Sequence, residues 1–161
     1  MIRLDALQVI LALAAIHGWD MQQLDIKGAH LNGELKETIF MIQPPEYDDG
    51  TGKVLLLLHS LYGLKQSGRA WYHKFREVLL RHGFEVAVEH CLYVRRQNGK
   101  LQIISAWVDN LLLLGPDPDS TAETKKMLGA EFEVHDLGEP HYLIGMEITR
   151  NHQASTITLS Q

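Results

Sequence analysis

Apolar residues in the first part of the chain recur at the spacing of a helix. One face of a helix with 3.6 residues per turn would contain Leu4, Leu7, Ile10, Leu11 and Ala14. The pair His17–Gly18 then supplies a helix stop. The apolar run is too short to cross a bilayer, and the first residues lack the small-residue cleavage site of a secretory signal. The pattern therefore predicts a helix with one buried face, and no membrane partner is expected.

Three apolar runs after this helix predict strands. Residues 19–26 (WDMQQLDI) alternate so that Met21, Gln23 and Asp25 share one face with Trp19. The runs ETIFMIQ (37–43) and KVLLLLHSL (53–61) predict two further strands, of which the second is expected to be buried. Between them, EYDDGTG (46–52) has the composition of a turn-rich loop.

The middle of the chain combines a helix with a meander. The helix is predicted over residues 69–81, where the apolar positions are Trp71, Phe75, Val78 and Leu79. CLYVRR (91–96) and KLQIISAW (100–107) flank Asn98–Gly99, which favours a hairpin because both central residues of its turn need positive φ. The run LLLLG (111–115) follows Asp109–Asn110 and adds a third antiparallel strand.

The last third of the chain returns to a helix and then to strands. Ser120 and Glu123 form a capping-box pattern, which predicts a helix from that point to about Leu128. YLIGMEITR (142–150) and STITLSQ (155–161) predict the final strands. This order of elements predicts an α+β fold, with the helices on one face of a mostly antiparallel sheet.

Composition narrows the function only slightly. The 161 residues suffice for one domain with a core or for two small lobes, and 45% hydrophobic with 22% charged residues is ordinary for a globular protein. The net charge of -5 argues mildly against a free-standing nucleic-acid binder, which usually has a basic surface. Cys91 is the single cysteine, so no intrachain disulfide can form and a reducing compartment is expected.

Two carboxylates occupy places where chemistry is possible. Asp25 ends a predicted strand, and Asp109 lies at the tip of a predicted hairpin. Paired carboxylates at neighbouring strand ends suit a hard cation such as Mg²⁺. The alternative is that each aspartate only accepts backbone N–H bonds in its turn, and spacing alone favours that interpretation for each one. His135 and His141 lack the spacing of paired zinc ligands and are interpreted as surface or packing residues.

Four segments decide between these interpretations. In chain order they are QLDIKGAHLNGEL (23–35), SLYGLKQSGRAWY (60–72), WVDNLLLLG (107–115) and DLGEPHYLIGMEI (136–148). Together they closely resemble the reverse transcriptase of copia-type LTR retrotransposons, over nearly the whole chain. The resemblance implies a truncated reverse transcriptase domain. Its polymerase palm would comprise residues 1–32 and 67–147, its partial fingers insertion residues 33–66, and the start of its thumb connection residues 148–161.

The resemblance also implies a set of site residues. Asp25 matches the family's first metal-binding aspartate, the backbone carbonyl of Ile26 matches a further ligand, and Asp109 matches the first aspartate of the family's Tyr-Val-Asp-Asp turn. The implied cofactor is Mg²⁺, with two ions in an active member. The implied partners are an RNA or DNA template-primer and deoxynucleoside triphosphates. Candidate contacts to them are Tyr62, Gly63, Lys65 and Gln66, and LGEPHYLIG (137–145) resembles the hairpin that holds the primer end.

The chain departs from the family pattern at three site positions. Asn110 stands where the family has the second aspartate of the turn, and Trp107 replaces its tyrosine. His30 stands where the family has the phenylalanine that excludes a ribose 2′-hydroxyl, so selection of deoxynucleotides is expected to be weakened. Alternatively, His30 is a partly exposed polar residue in a relaxed site. The family's basic fingers segment would precede Met1, which the resemblance places just before the first palm helix.

The expected function is therefore template-directed, Mg²⁺-dependent DNA synthesis as the ancestral activity, impaired in this copy. The alternative is a non-catalytic, retrotransposon-derived remnant that binds nucleic acid or a protein. Without the upstream fingers, apolar surface on residues 37–43 or 54–61 should lack its cover and favour self-association. The expected location is intracellular, in the cytoplasm, in virus-like particles or in the nucleus.

Overall fold

A computed structural model describes residues 2–160, and the chain divides into two units. The first unit is Met1–Lys27 with Val78–Gln161, and the second is Gly28–Glu77. In chain order the helices are α1 (Leu4–His17), α2 (Ser67–Arg81) and α3 (Pro118–Glu131), with 3₁₀ turns at Ala29–Asn32 and Pro45–Tyr47. The strands are β1 (Asp20–Ile26), β2 (Phe40–Ile42), β3 (Val54–Leu56), β4 (Glu85–Val86), β5 (Leu92–Gln97), β6 (Lys100–Trp107), β7 (Asn110–Gly115), β8 (Val134–Gly138), β9 (Tyr142–Leu143), β10 (Met146–Asn151) and β11 (Thr156–Ser160).

The first unit contains two antiparallel sheets. The larger has six strands in the order β4-β5-β6-β7-β1-β8, and the smaller has three in the order β11-β10-β9. The predicted meander is confirmed as β5, β6 and β7, and its turn residues Asn98 and Gly99 have φ of 52° and 77°. The α+β class is confirmed, while its assignment to a polymerase palm stays a prediction. Gln161, the last residue of the predicted final strand, lies outside the described residues.

The helices of the first unit do not share one face of the larger sheet, so that prediction is wrong. Alternate residues of a strand point to opposite faces. α1 packs with Met21, Leu112 and Leu114, and residues of the smaller sheet belong to the same core. On the other face, the Thr121 hydroxyl of α3 donates to the Asp20 carboxylate. α1 and α3 therefore lie on opposite sides of the sheet, and its central strands are covered on both faces.

Arg150 on β10 of the smaller sheet is hydrogen-bonded to the backbone at the end of α1. Gly18 follows the helix at φ 63°, the left-handed conformation common just after a helix end. The Arg150 guanidinium donates from Nη2 to the carbonyl oxygens of Trp19, at 2.6 Å, and Ala14, at 3.5 Å. Its side chain is only 7% exposed. A buried cation on β10 thus adds a donor to the Ala14 carbonyl, which also accepts the Trp19 N–H at 3.0 Å, and supplies one to the Trp19 carbonyl just beyond α1.

α3 begins earlier than the capping-box pattern predicts. The N-cap residue is Asp117, whose carboxylate accepts a hydrogen bond from the Ser120 N–H at 2.9 Å, and Pro118 occupies the first turn. The hydrogen bond from Lys100 Nζ, together with that from Ser120 N–H, lowers the pKa of the Asp117 carboxyl. The predicted start at Ser120 is therefore wrong, because an Asp-Pro pair three residues upstream provides the stronger cap.

The second unit exposes most of its apolar strand residues. β2 and β3 form a two-stranded antiparallel sheet, with Phe40 opposite Leu56 and Ile42 opposite Val54. All four of these side chains are exposed. The prediction of a buried strand over residues 53–61 is wrong, whereas the predicted exposed apolar surface is confirmed. In residues 2–160, no helix has both the length and the apolarity that a bilayer crossing needs.

The turn between β9 and β10 contains a residue that the sequence pattern does not explain. Ile144 has φ 51° and Gly145 φ 74°, close to the values of Asn98 and Gly99 in the β5–β6 turn. A β-branched residue is strained in this left-handed region, whereas asparagine tolerates it.

We expect Ile144→Asn to raise the free energy of unfolding by about 1 kcal/mol, because it removes this strain. The substitution removes little buried apolar area, since the Ile144 side chain is already 45% exposed. Urea denaturation would measure the change. The reciprocal variant Asn98→Ile should lower stability by a similar amount, and an Ile144→Asn variant less stable than the parent chain would contradict the expectation.

Candidate functional site

The larger sheet brings the two candidate carboxylates to adjoining strands. Asp25 lies directly opposite Asn110 in the antiparallel pair of β1 and β7. Immediately beyond this pair, the Ile26 N–H donates to the carbonyl oxygen of Asp109 at 2.8 Å. Asp109 occupies the turn between β6 and β7, so the end of β1 and the hairpin tip meet at one place.

A row of four side chains crosses the sheet at this point. Trp107 on β6 is opposite Asn110, Asn110 is opposite Asp25, and Asp25 is opposite His135 on β8. Directly opposed residues in antiparallel strands have Cβ atoms about 5 Å apart and project to the same face. The row therefore places an indole, an amide, a carboxylate and an imidazole side by side.

Sequence reasoning missed both β8 and the position of His135. The strand is five residues long, and its side chains are exposed or only partly buried. The short segment VHDLG lacks a sustained apolar alternation that would predict a strand. His135 is exposed, as a surface residue should be, but its place opposite Asp25 follows only from the pairing of β8 with β1.

The residues next to Asp109 in the β6–β7 turn have unusual contacts or backbone geometry. The amide Nδ2 of Asn110 donates to Asp109 Oδ1 at 3.2 Å. One carboxylate oxygen is thus stabilised by an amide donor, where an aspartate at position 110 would place a second negative charge. Val108 has φ 54°, a strained conformation for a β-branched residue. Trp107 Nε1 is buried and has no acceptor among the described residues.

A cavity of about 360 Å³ lies beside this row. Gln23, Trp107 and Asn110 form one wall, and residues 142–145 of the β9–β10 hairpin form the other. Two residues with side-chain amides, Gln23 and Asn110, line it, together with the strained Ile144. The cavity therefore presents polar donors and acceptors next to the turn that carries Asp109.

The donors at this place suit a hard cation. Carboxylate and amide oxygens are the ligands that Mg²⁺ prefers, and Mg²⁺ commonly binds through one or two carboxylates while it keeps several waters. Asp25 and Asn110 provide such oxygens on paired strands, and Asp109 provides them in the turn that precedes β7. Within the described part of the chain, however, no three His, Cys, Asp or Glu side chains form a metal-binding group. The residues fit a weakly held magnesium ion and lack a third carboxylate.

The remaining candidate residues lie in the second unit. His30 and Tyr62 contact each other, with ring centroids 4.6 Å apart. The Ser60 hydroxyl donates to the His30 carbonyl, and His30 Nδ1 is buried without a partner among the described residues. Gly63 follows Tyr62 with φ 97°, in the turn that leads to α2.

Lys65 and Gln66 complete this set at the start of α2. The Lys65 side chain is exposed, and the Gln66 carbonyl accepts the Ala70 N–H at 2.9 Å. The structure thus brings His30 and Tyr62 together and places Gly63, Lys65 and Gln66 in the turns that precede α2, where Gly63 and Lys65 are exposed and Gln66 is half-buried. Their contacts with a nucleic acid or a nucleotide stay predictions.

Comparison with known proteins gives consistent results. Residues 1–161 match a family model described as reverse transcriptase (RNA-dependent DNA polymerase). The retrovirus-related Pol polyprotein from transposon TNT 1-94 of Nicotiana tabacum is 34% identical over 164 residues, which cover 99% of this chain and 12% of that protein. The corresponding polyprotein from transposon RE1 of Arabidopsis thaliana is 35% identical over 152 residues, covering 92% of this chain and 10% of that protein.

A yeast relative extends the comparison beyond plants. The transposon Ty1-BR Gag-Pol polyprotein of Saccharomyces cerevisiae is 32% identical over 152 residues, which cover 89% of this chain and 8% of that protein. The chain thus spans about a tenth of the length of these curated relatives. No solved structure matches it.

Proposed function

Because the chain belongs to the reverse transcriptase family, in its copia-type transposon branch, we propose that it carries the cation site of a template-directed DNA polymerase in a weakened form. One observation carries the proposal. Asp25 is in register with Asn110, and the Ile26 N–H is bonded to the carbonyl of Asp109, so Asp25 near the end of β1 adjoins the turn that carries Asp109. That placement is what a shared cation between them requires.

Asp25 and Asp109 would hold the magnesium ion, with the Ile26 backbone carbonyl and the Asn110 side-chain oxygen as weaker ligands. Bound there, the cation would neutralise charge on the phosphate oxygens of the substrate. Asn110 contributes a neutral donor where the family has a carboxylate. Its amide also donates to Asp109 Oδ1 at 3.2 Å, which keeps that carboxylate next to Asn110 and supports an impaired site.

The proposed substrates are a template-primer and deoxynucleoside triphosphates. The exposed ammonium of Lys65 suits a phosphate. The backbone at Gly63 is open, because a Cβ there would meet nothing within 4 Å. His30 is a smaller, polar ring in place of the family's phenylalanine, and its Nδ1, buried without a described partner, would hydrogen-bond a ribose hydroxyl that enters beside it. A His30→Phe variant, compared with the parent chain on ribo- and deoxynucleotides, tests this role of His30.

The second candidate is a non-catalytic module that binds nucleic acid or a protein. The exposed apolar residues of β2 and β3 favour it, because contiguous apolar surface commonly marks an interaction site. The two candidates differ in whether Asp25 matters for activity.

Primer extension on a homopolymer template with Mg²⁺ tests the proposal. We expect slow extension by the purified chain, on the order of a hundredfold below an enzyme with three carboxylates, because one charge is missing from the site. Asp25→Asn should abolish this extension. Asp119→Asn, which changes an exposed carboxylate in the first turn of α3, serves as the matched control and should have no effect.

Extension that persists in the Asp25→Asn variant would contradict the proposed site. If neither the parent chain nor an Asn110→Asp variant extends a primer, the non-catalytic candidate is favoured. A parent chain that extends at the rate of an enzyme with three carboxylates would show that Asn110 does not impair the site.

A further inference from the structure

α1 is apolar on nearly every side, although only one side of it is buried. In residues 6–16, ALQVILALAAI, Gln8 is the single polar residue. The inward side contributes Leu7, Leu11 and Ala14 to the core. On the outward side, Val9 is 59% exposed and Ile16 is 69% exposed. A helix that is apolar all round is ordinarily buried all round, whereas the outward side of α1 has no partner among residues 2–160.

The outward residues have the spacing of a helix-pairing seam. Asp5, Val9, Ala12 and Ile16 follow one another at intervals of four, three and four residues, and we call them the α1 stripe. This is the spacing of the core positions of a two-stranded coiled coil. Ala12, in the middle of the stripe, is small enough to allow another helix to approach to about 8 Å.

We propose that the α1 stripe binds the α1 stripe of a second copy of this chain, with the two helices antiparallel. Charge selects this direction. Between Asp5 and His17 the helix carries no charged residue. An antiparallel pair with its two-fold axis near Leu11 sets Asp5 of one copy near His17 of the other and opposes the two helix dipoles favourably. A parallel pair would align the two dipoles unfavourably and would set Asp5 against Asp5, although Arg3, 2.8 Å from Asp5 in its own copy, offsets part of that repulsion.

The size of the contact predicts a weak dimer. A 14-residue helix is about 21 Å long, and one such helix covers less than the roughly 800 Å² per partner of a stable complex. Additional apolar surface lies beside it, in a cavity of about 400 Å³ between α1 and residues 87–92. Val88 on that segment is 99% exposed. We therefore expect half-association in the range of about 10 µM to 1 mM.

Sedimentation equilibrium over this concentration range tests the proposal, with two variants at one position of the stripe. In the antiparallel pair, Ile16 of one copy lies near Asp5 of the other. Ile16→Glu adds a like charge there, whereas Ile16→Lys adds an opposite charge. Both variants lose apolar contact, but Ile16→Glu should raise the dissociation constant several-fold more than Ile16→Lys. The contact has two symmetric copies of the charge pair, of which Arg3, 2.8 Å from Asp5, offsets part.

A third variant separates this surface from the exposed apolar residues of the second unit. Ile42→Glu places a charge on β2 and should leave the dimer unchanged. Circular dichroism of each variant establishes that the fold is retained. A monomer over the whole concentration range overturns the proposal, as does a dimer that Ile42→Glu dissolves. Equal weakening by Ile16→Glu and Ile16→Lys would overturn the antiparallel direction.

Discussion

Replacing Asn110 by aspartate is expected to tighten Mg²⁺ binding about a hundredfold. At an effective dielectric constant near 20, two unit charges about 4 Å apart interact by roughly 4 kcal/mol, and a net gain of about 3 kcal/mol after solvent screening corresponds to that factor. The substitution adds a carboxylate directly opposite Asp25 and next to Asp109. Isothermal titration of the metal-free protein with MgCl₂ would measure the affinity.

The same substitution should also change how stability depends on the cation. In the parent chain, Asn110 Nδ2 lies 3.2 Å from Asp109 Oδ1 and donates to it. Aspartate at position 110 would replace this hydrogen bond by repulsion between two carboxylates, so the metal-free variant should melt at a lower temperature than the parent. Added Mg²⁺ should then raise the melting temperature of the variant far more than that of the parent, because ligand binding to the folded state stabilises it.

Asn98→Asp provides the matched control for this experiment. It makes the same chemical change in the β5–β6 turn, where Asp-Gly suits the turn as well as Asn-Gly does. This control should leave Mg²⁺ affinity unchanged. An equal gain in affinity for both variants would mean that net charge, and not the place of Asn110 opposite Asp25, governs cation binding.

Arg150→Ala is expected to lower the free energy of unfolding by about 2 kcal/mol, because one hydrogen bond from a charged donor to a buried carbonyl is worth about 1.5–3 kcal/mol. The guanidinium bonds the carbonyl of Trp19 at 2.6 Å and that of Ala14 at 3.5 Å. Its removal leaves the Trp19 oxygen without this donor in a place that water reaches poorly, since the Arg150 side chain is only 7% exposed. The Ala14 oxygen keeps the Trp19 N–H as a donor at 3.0 Å.

Chemical denaturation and hydrogen exchange together would measure this loss. Arg150→Lys should recover about half of it, because a single ammonium group can reach one carbonyl but lacks the planar fork of a guanidinium. Arg96→Ala, at an exposed position, is the matched control and should change stability by less than about 0.5 kcal/mol. Equal effects of Arg150→Ala and Arg96→Ala would show that the link between β10 and α1 contributes nothing.

Local sequence patterns predicted several elements correctly because each depends on residues close together in the chain. Asn98–Gly99 fixes a turn whose two residues both need positive φ, so β5 and β6 follow from a few positions. The apolar period of α1 and its stop at Gly18 are equally local. The four motifs also carried the family resemblance, which the family model and the relatives bear out.

Errors arose where a local signal competed with another local signal or with burial. Ser120 and Glu123 have the residue types of a capping box, but Asp117 already caps the helix and Pro118 begins it. The run VLLLL has the composition of a buried strand, yet Val54 and Leu56 are exposed. Composition states which residues favour burial, but only the elements packed against them decide whether they are buried.

The sequence by itself determined the family, the meander and the residues at the hairpin tip. Only the tertiary structure placed α1 and α3 on opposite faces of the sheet and paired β8 with β1, which sets His135 opposite Asp25. The physical reason is that strand pairing joins residues more than a hundred positions apart through backbone hydrogen bonds, which are the same for every residue type except proline. Side chains can favour a strand, but the partner of that strand is selected by the packing of the whole sheet.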